Sequence, residues 1–198
     1  GICGSDLYFL KGLIRPRKIP VTLGHEMSGI IERVGGNVKD LSEGDRVAVD
    51  YVISCGQCFY CNQGAENLCI NMQAIGNHVD GGYAEYVVVP ARNAFSLPEP
   101  IPFEQGAIIG CALATSFHAI GVAKIKSGES IAVYGLGGVG IHVVQWAKAF
   151  GAGKIIGVDI DPGKLKIAKD LGCDTALNPR DVDPVLEITE ITNGLGVN

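Results

Sequence analysis

The stretch Ile131-Ala-Val-Tyr-Gly135-Leu-Gly137-Gly138-Val139-Gly140, with Ile155-Ile-Gly-Val-Asp159 downstream, decides how the second half of the chain folds. Ile131–Tyr134 has the length and apolar run of a buried strand. Val139, Val143, Trp146, Ala147 and Phe150 then recur at helical spacing. Gly151-Ala-Gly ends that helix. A second apolar strand closes on Asp159, 19 residues after Gly140. A further helix over 162–171, with Lys164 to Lys169 on its outer face, and a strand at Thr175–Leu177 complete the alternation. Such alternation predicts a parallel sheet with crossover helices.

Each glycine of the turn has a distinct use. Gly135 permits the tight turn, Gly137 lets backbone approach a pyrophosphate, and Gly140 lets the helix pack on the sheet. Gly138 and Val139 open the helix, whose free N–H groups and partial positive charge suit phosphates. Asp159 stands where a carboxylate accepts hydrogen bonds from the adenosine ribose. It would repel a 2′-phosphate, so NAD is expected over NADP. A glycine-rich turn without a ligand is the plain alternative, and the strand, helix and acid around it weigh against that.

Upstream the texture differs. Ser28–Val34, Arg46–Val49 and Gly81–Val89 read as strands separated by Gly and Pro, which predicts a β-rich first domain. Helix-like segments follow at 103–109 and 114–123. The expected boundary puts residues 1–112 in a first domain and 113–198 in the first half of a nucleotide-binding domain.

Inside the first domain, a lobe over about 54–70 carries Cys55, Cys58, Cys61 and Cys69, spaced C-x2-C-x2-C-x7-C. Four thiolates can close a tetrahedral shell around zinc, and the bound metal can supply folding energy that the lobe lacks. An iron–sulfur cluster is the rival, but the ferredoxin run wants C-x2-C-x2-C-x3-C-P, and here Ile70 follows Cys69 after a gap of seven. A disulfide pair suits a secreted protein instead. A closed shell of thiolates leaves no open position, so this lobe reads as a brace. A catalytic zinc needs three protein ligands and one open position. Cys3, His25 and Cys111 are available for one, although by composition each cysteine could equally be a buried thiol. Cys173 has no partner nearby in sequence and reads as structural.

Composition bounds the rest. The 198 residues are 47% hydrophobic and 19% charged with a net charge of −5, which fits a globular chain without a basic nucleic-acid or membrane-surface patch. No run of about 18 apolar residues is read, so no membrane span is expected, and no secretory leader is read. Seven cysteines, an odd number, favour thiolate ligands in a reducing, cytoplasmic setting.

Taken together, Gly1-Ile-Cys-Gly-Ser-Asp6, Gly24-His-Glu26, Gly44-Asp-Arg-Val47, the four-cysteine lobe, Asp80-Gly-Gly-Tyr-Ala-Glu-Tyr86, Gly110-Cys111 and the Gly135–Gly140 turn with Asp159 resemble the zinc-dependent medium-chain alcohol dehydrogenases. The pieces run in family order over essentially the whole chain. The resemblance implies an α/β protein: a GroES-like catalytic domain joined to a partial Rossmann domain. It implies two zinc ions per chain, a catalytic one on Cys3, His25 and Cys111 and a structural one on the lobe. Glu26 is implied as an occasional or neighbouring ligand, and Asp6 as the carboxylate that orients the histidine. It further implies oxidation of a primary, secondary or polyol alcohol, or the reverse reduction of an aldehyde or ketone. The alcohol would react as a zinc-bound alkoxide, its hydride passing to NAD. Ser5 would take the alcohol proton. Tyr8 stands where relatives continue the relay with histidine. Thr115 and Val139 match nicotinamide contacts, and Lys164 matches an adenosine ribose contact. A dimer or tetramer is implied.

The chain starts at Gly1 without Met and stops at Asn198 just after a helix, so it is expected to be a fragment, with weak NAD binding and little turnover of its own. Two rival readings keep the fold: a zinc-independent enzyme like the quinone reductases, for which Cys3, His25 and Cys111 have no use, and a non-catalytic, zinc-stabilised NAD-binding module.

Overall fold

The computed structural model describes residues 1–198, which divide after Cys111 into two units, Gly1–Cys111 and Ala112–Asn198. The first unit opens with helix α1 (Gly4–Leu10). Its start is set by Asp6, whose Oδ2 accepts a 2.9 Å hydrogen bond from the N–H of Cys3, the residue capping the helix. Strands β1 (Met27–Ile30), β2 (Arg46–Val49), β3 (Val52–Ile53), β4 (Gln73–Ala74) and β5 (Ala94–Ser96) follow. They make an antiparallel sheet in the order β1-β2-β5 and a small antiparallel pair, β3-β4. The cysteine lobe is the excursion between β3 and β4, built of two short 3-10 turns, Cys61–Gln63 and Glu66–Leu68. Met27, Val49 and Ile75 centre the apolar core of this unit, flanked by Tyr51, Ile53, Val79, Val87 and Val89.

The strand expected over 81–89 does not form. Gly81, Gly82 and Tyr83 donate their N–H groups to Thr22, Gly24 and Leu23. Residues 84–89 form no ladder and line, with β1, a cavity of about 860 Å³, and Val88 is 93% exposed. The strand expected over 28–34 is likewise shorter and ends at Ile30.

Helix α2 (Phe103–Gly106) leads into a π-helical turn, Ile109–Leu113, which carries Cys111. The second unit then runs α3 (Ala114–Ala123), β6 (Ser130–Tyr134), α4 (Gly138–Ala149), β7 (Lys154–Val158), α5 (Pro162–Leu171), β8 (Thr175–Leu177) and α6 (Pro184–Ile191). The sheet is parallel in the order β6-β7-β8, the expected first half of a doubly wound sheet. Val144 and Ile156 are fully buried, each stabilising the unit by about 1.5–3 kcal/mol relative to exposure. Asp161 and Asp183 cap α5 and α6, each followed by proline in the first turn.

One expectation is corrected. The helical run Phe103–Ala123, 21 residues with mean hydropathy 1.7, is long and apolar enough to cross a membrane by length and composition alone. A π turn, Ile109–Leu113, interrupts it, and Cys111, Ser116 and Ile120 are buried along it.

Candidate functional site

In the lobe, all four cysteines are free thiols. Their sulfurs lie 3.5 Å (Cys58–Cys61), 3.9 Å (Cys55–Cys61) and 3.9 Å (Cys58–Cys69) apart. A tetrahedron with Zn–S bonds of about 2.3 Å has edges of about 3.8 Å, so the donor set fits zinc. The backbone is arranged for thiolates: the N–H of Cys55 donates to Cys69 Sγ at 3.2 Å. Hydrogen bonds from the N–H groups of Cys61 and Ile70 draw the Cys58 thiol down to about 6. Burial and the adjacent Cys58 push Cys61 up to about 11, as expected where several thiols share too little positive charge. Arg92 donates to the Ser54 carbonyl at the base of the lobe, and Asn93 donates to the carbonyls of Asp50 (2.9 Å) and Val52 (2.8 Å).

The second cluster is assembled from distant pieces. Cys3 caps α1, His25 and Glu26 precede β1, and Cys111 rides the π turn. Their ligand atoms all lie within 4.8 Å of one another. Gly110 makes this possible, because a Cβ there would collide with the Val49 carbonyl. His25 and Glu26 are buried, and Asp6 is 1% exposed. Asp6 Oδ1 lies 3.4 Å from His25 Nδ1, which leaves Nε2 for the cluster, and no protein donor satisfies that oxygen. Burial, followed by the charges of Cys3 and Glu26, pushes the Cys111 thiol well up. Two thiols and the Glu26 carboxylate thus converge, with the Asp6 carboxylate behind His25 and no lysine or arginine paired to any of them. A divalent cation with soft and imidazole ligands is the group that would offset this charge.

Ser5, half buried, and Tyr8, half exposed, are both on α1, and no hydrogen bond of the cluster passes through Tyr8. Tyr83 is the residue that sequence reasoning missed. Its hydroxyl donates to Asp6 Oδ2 at 2.9 Å, with the Gly1 carbonyl a more distant acceptor at 3.3 Å. Burial and the Asp6 carboxylate push its phenol upward, so it remains a donor. Tyr83 lies within the glycine-bearing stretch used for the resemblance, but only a contact across the fold reveals its role.

At the nucleotide turn, Gly135 adopts φ +86° and donates to the Val158 carbonyl at 2.8 Å. A Cβ on Gly140 would collide with the Gly135 carbonyl, whereas the space at Gly137 is open. Asp159 Oδ2 accepts from the N–H of Leu136 at 2.7 Å, and Oδ1 from the N–H of Asp161 at 2.9 Å. Burial alone would raise this carboxyl. The two amides and Lys164 outweigh it and hold it below the usual range. Thr115, Val139 and Lys164 are exposed.

Residues 1–99 match the model of the alcohol dehydrogenase GroES-like domain, and residues 138–198 that of zinc-binding dehydrogenases. The chain belongs to the zinc-type medium-chain dehydrogenases. The chain is 42% identical, over 98% of its own length and 58% of the relative's, to an alcohol dehydrogenase of Geobacillus stearothermophilus. It is 40% identical to a sorbitol dehydrogenase of Bacillus subtilis, over 100% and 57% of the two lengths. The solved alcohol dehydrogenase from Thermus sp. ATN1 superposes with a TM-score of 0.92 at 34% identity, covering 98% of this chain and 57% of that one. The fold is therefore a GroES-like unit followed by a partial Rossmann unit, and the chain spans a little under three fifths of these relatives.

Proposed function

We propose that the protein carrying this chain is an NAD-dependent, zinc-type alcohol or polyol dehydrogenase. The reading is supported above all by the convergence of Cys3, His25, Glu26 and Cys111, a mixed and buried ligand set separate from the closed four-cysteine lobe. Cys3, His25 and Cys111 hold the catalytic zinc, with Glu26 beside it, and Cys55, Cys58, Cys61 and Cys69 hold the structural one. Bound there, zinc supplies a Lewis acid that lowers the pKa of an alcohol hydroxyl, and bound NAD supplies the hydride acceptor.

The chain's own residues do the rest. Cys3 and Cys111 as thiolates, with neutral His25, match the charge of the metal. Asp6 fixes the imidazole. Ser5, in the first turn of α1 beside Cys3, takes the alcohol proton, and Tyr8 is its candidate successor in a relay. Gly135, Gly137, Gly138, Val139 and Gly140 receive the pyrophosphate, Asp159 and Lys164 the adenosine ribose, and Thr115 with Val139 the nicotinamide. Asp159 disfavours a 2′-phosphate. The proposed setting is cytoplasmic, and the proposed assembly is a dimer or tetramer, which a monomeric mass by light scattering would overturn. The isolated 198 residues are expected to turn over little.

The test is a panel of primary, secondary and polyol substrates followed by NADH formation, using the complete protein and its Cys111→Ala variant. Two zinc ions per wild-type chain, one in the variant, and NADH formation at least about a thousandfold lower in the variant are expected. A variant with full activity overturns the catalytic assignment, and NADPH formation faster than NADH overturns the choice of cofactor.

A further inference from the structure

We infer that the Tyr83 hydroxyl is a positioning residue for the second cluster. By tying down one oxygen of Asp6 it aims the other at His25, and so sets the imidazole for metal binding. This rests on the proposed reading of Cys3, His25 and Cys111 as ligands and adds a residue to it.

Asp6 is almost wholly buried, and its two oxygens are treated differently. Oδ2 accepts from both the Cys3 N–H and the Tyr83 hydroxyl, each at 2.9 Å. Oδ1 accepts nothing and lies 3.4 Å from His25 Nδ1. With two donors on one oxygen, the carboxylate cannot rotate without losing both, so Oδ1 stays on the histidine side. Removing the phenol leaves one backbone donor and a carboxylate free to turn.

Tyr83 is itself fixed to the segment that carries His25. Three successive amides, Gly81, Gly82 and Tyr83, donate to Thr22 (2.7 Å), Gly24 (2.8 Å) and Leu23 (3.0 Å). The approach is tight: Gly24 has φ +95°, and a Cβ there would lie 2.5 Å from the Tyr83 ring. A Cβ on Gly81 would collide with the Gly24 carbonyl. The Gly81–Tyr83 loop and the Thr22–His25 loop therefore shift together. From that platform the phenol reaches Asp6 and the Gly1 carbonyl, on the segment that carries Cys3. One hydroxyl thus links the segments bearing two of the ligands. A tyrosine serving only as packing would need its ring and not its oxygen.

The test is metal binding by the full chain, emptied and then titrated with Co2+ or Zn2+ against a chelator, comparing wild type, Tyr83→Phe, Asp6→Asn, the double variant, and Tyr86→Phe as an exposed control. Tyr83→Phe keeps the ring and should melt close to wild type. It should weaken the second site about 10–100-fold and shift the visible bands of cobalt bound there, while the lobe keeps its metal. In the Asp6→Asn background, Tyr83→Phe should have no further effect, because the phenol acts through that carboxylate. Tyr86→Phe should match wild type. If wild type binds two metals and Tyr83→Phe has unchanged affinity and cobalt bands, the inference is overturned. A full Tyr83→Phe effect in the Asp6→Asn background overturns it as well, and can be read even if the single variant folds poorly. A wild-type chain that binds metal only at the lobe overturns the parent reading, and this inference with it.

Discussion

The two thiol clusters of the first unit differ in how far the chain must travel to build them. The lobe draws four ligands from the fifteen residues Cys55–Cys69. Short turns suffice to close it, at small loop-closure cost. The other cluster draws on Cys3, the His25–Glu26 pair and Cys111, so it exists only when α1, β1 and the π turn are packed together. The chemistry differs accordingly. The near donor set is uniform and closed. The distant one is mixed, crowded with carboxylates, and supported by Asp6 and Tyr83. A local motif can brace itself. A site with an open position has to borrow its geometry from the whole unit.

Three substitutions would break or sharpen this contrast. Cys61→Ser should have the largest effect. Removing a ligand should weaken the lobe's metal by more than about 100-fold, beyond what the loss of an outer partner costs. It should also open residues 55–69 to proteolysis while the second cluster keeps its metal. Metal analysis alongside limited proteolysis checks this, and simultaneous loss of both metals would show that the clusters are not independent.

Gly110→Ala should act in the reverse sense. Its Cβ would collide with the Val49 carbonyl and displace the turn holding Cys111. The expected cost is about 1–3 kcal/mol in denaturant unfolding, with metal lost from the second cluster and retained in the lobe. Equal loss from both would erase the distinction.

Asp159→Asn probes an intermediate case, a carboxylate that reaches back 23 positions to the Leu136 N–H. Its pKa is lowered in the folded chain. Its contribution is therefore present above the unfolded carboxyl pKa of about 3.9 and is lost as pH falls through the folded value. Wild type should exceed the variant by about 1 kcal/mol near pH 6, and the gap should close on acidification below pH 4. A gap that does not change with pH would assign the effect to packing instead of charge.

Legibility followed the same distances. The lobe was readable from cysteine spacing, and the Gly135–Gly140 turn from its flanking strand and helix. Gly140 behaves as expected, pressed against the Gly135 carbonyl. The strand expected at 81–89 failed because alternation says what could pair and not whether a partner lies within reach. Tyr83 was invisible for the reason that makes it interesting: its partner, Asp6, is 77 positions away. The apolar run at Phe103–Ala123 went unflagged because Glu104, Gln105, Thr115, Ser116 and His118 punctuate it in sequence.

The sequence by itself determined the parallel α/β second unit, the closed lobe and the residue types available for a mixed metal site. These depend on periodicity and spacing within a few turns of chain. The family resemblance implied that Cys3, His25, Glu26 and Cys111 share a site with Asp6 behind the histidine; tertiary structure supplied the contacts by which they meet, and it alone decided that Tyr83 holds Asp6. Those contacts arise from glycine-permitted backbone approaches and a π turn, whose geometry is set by packing between segments remote in the chain.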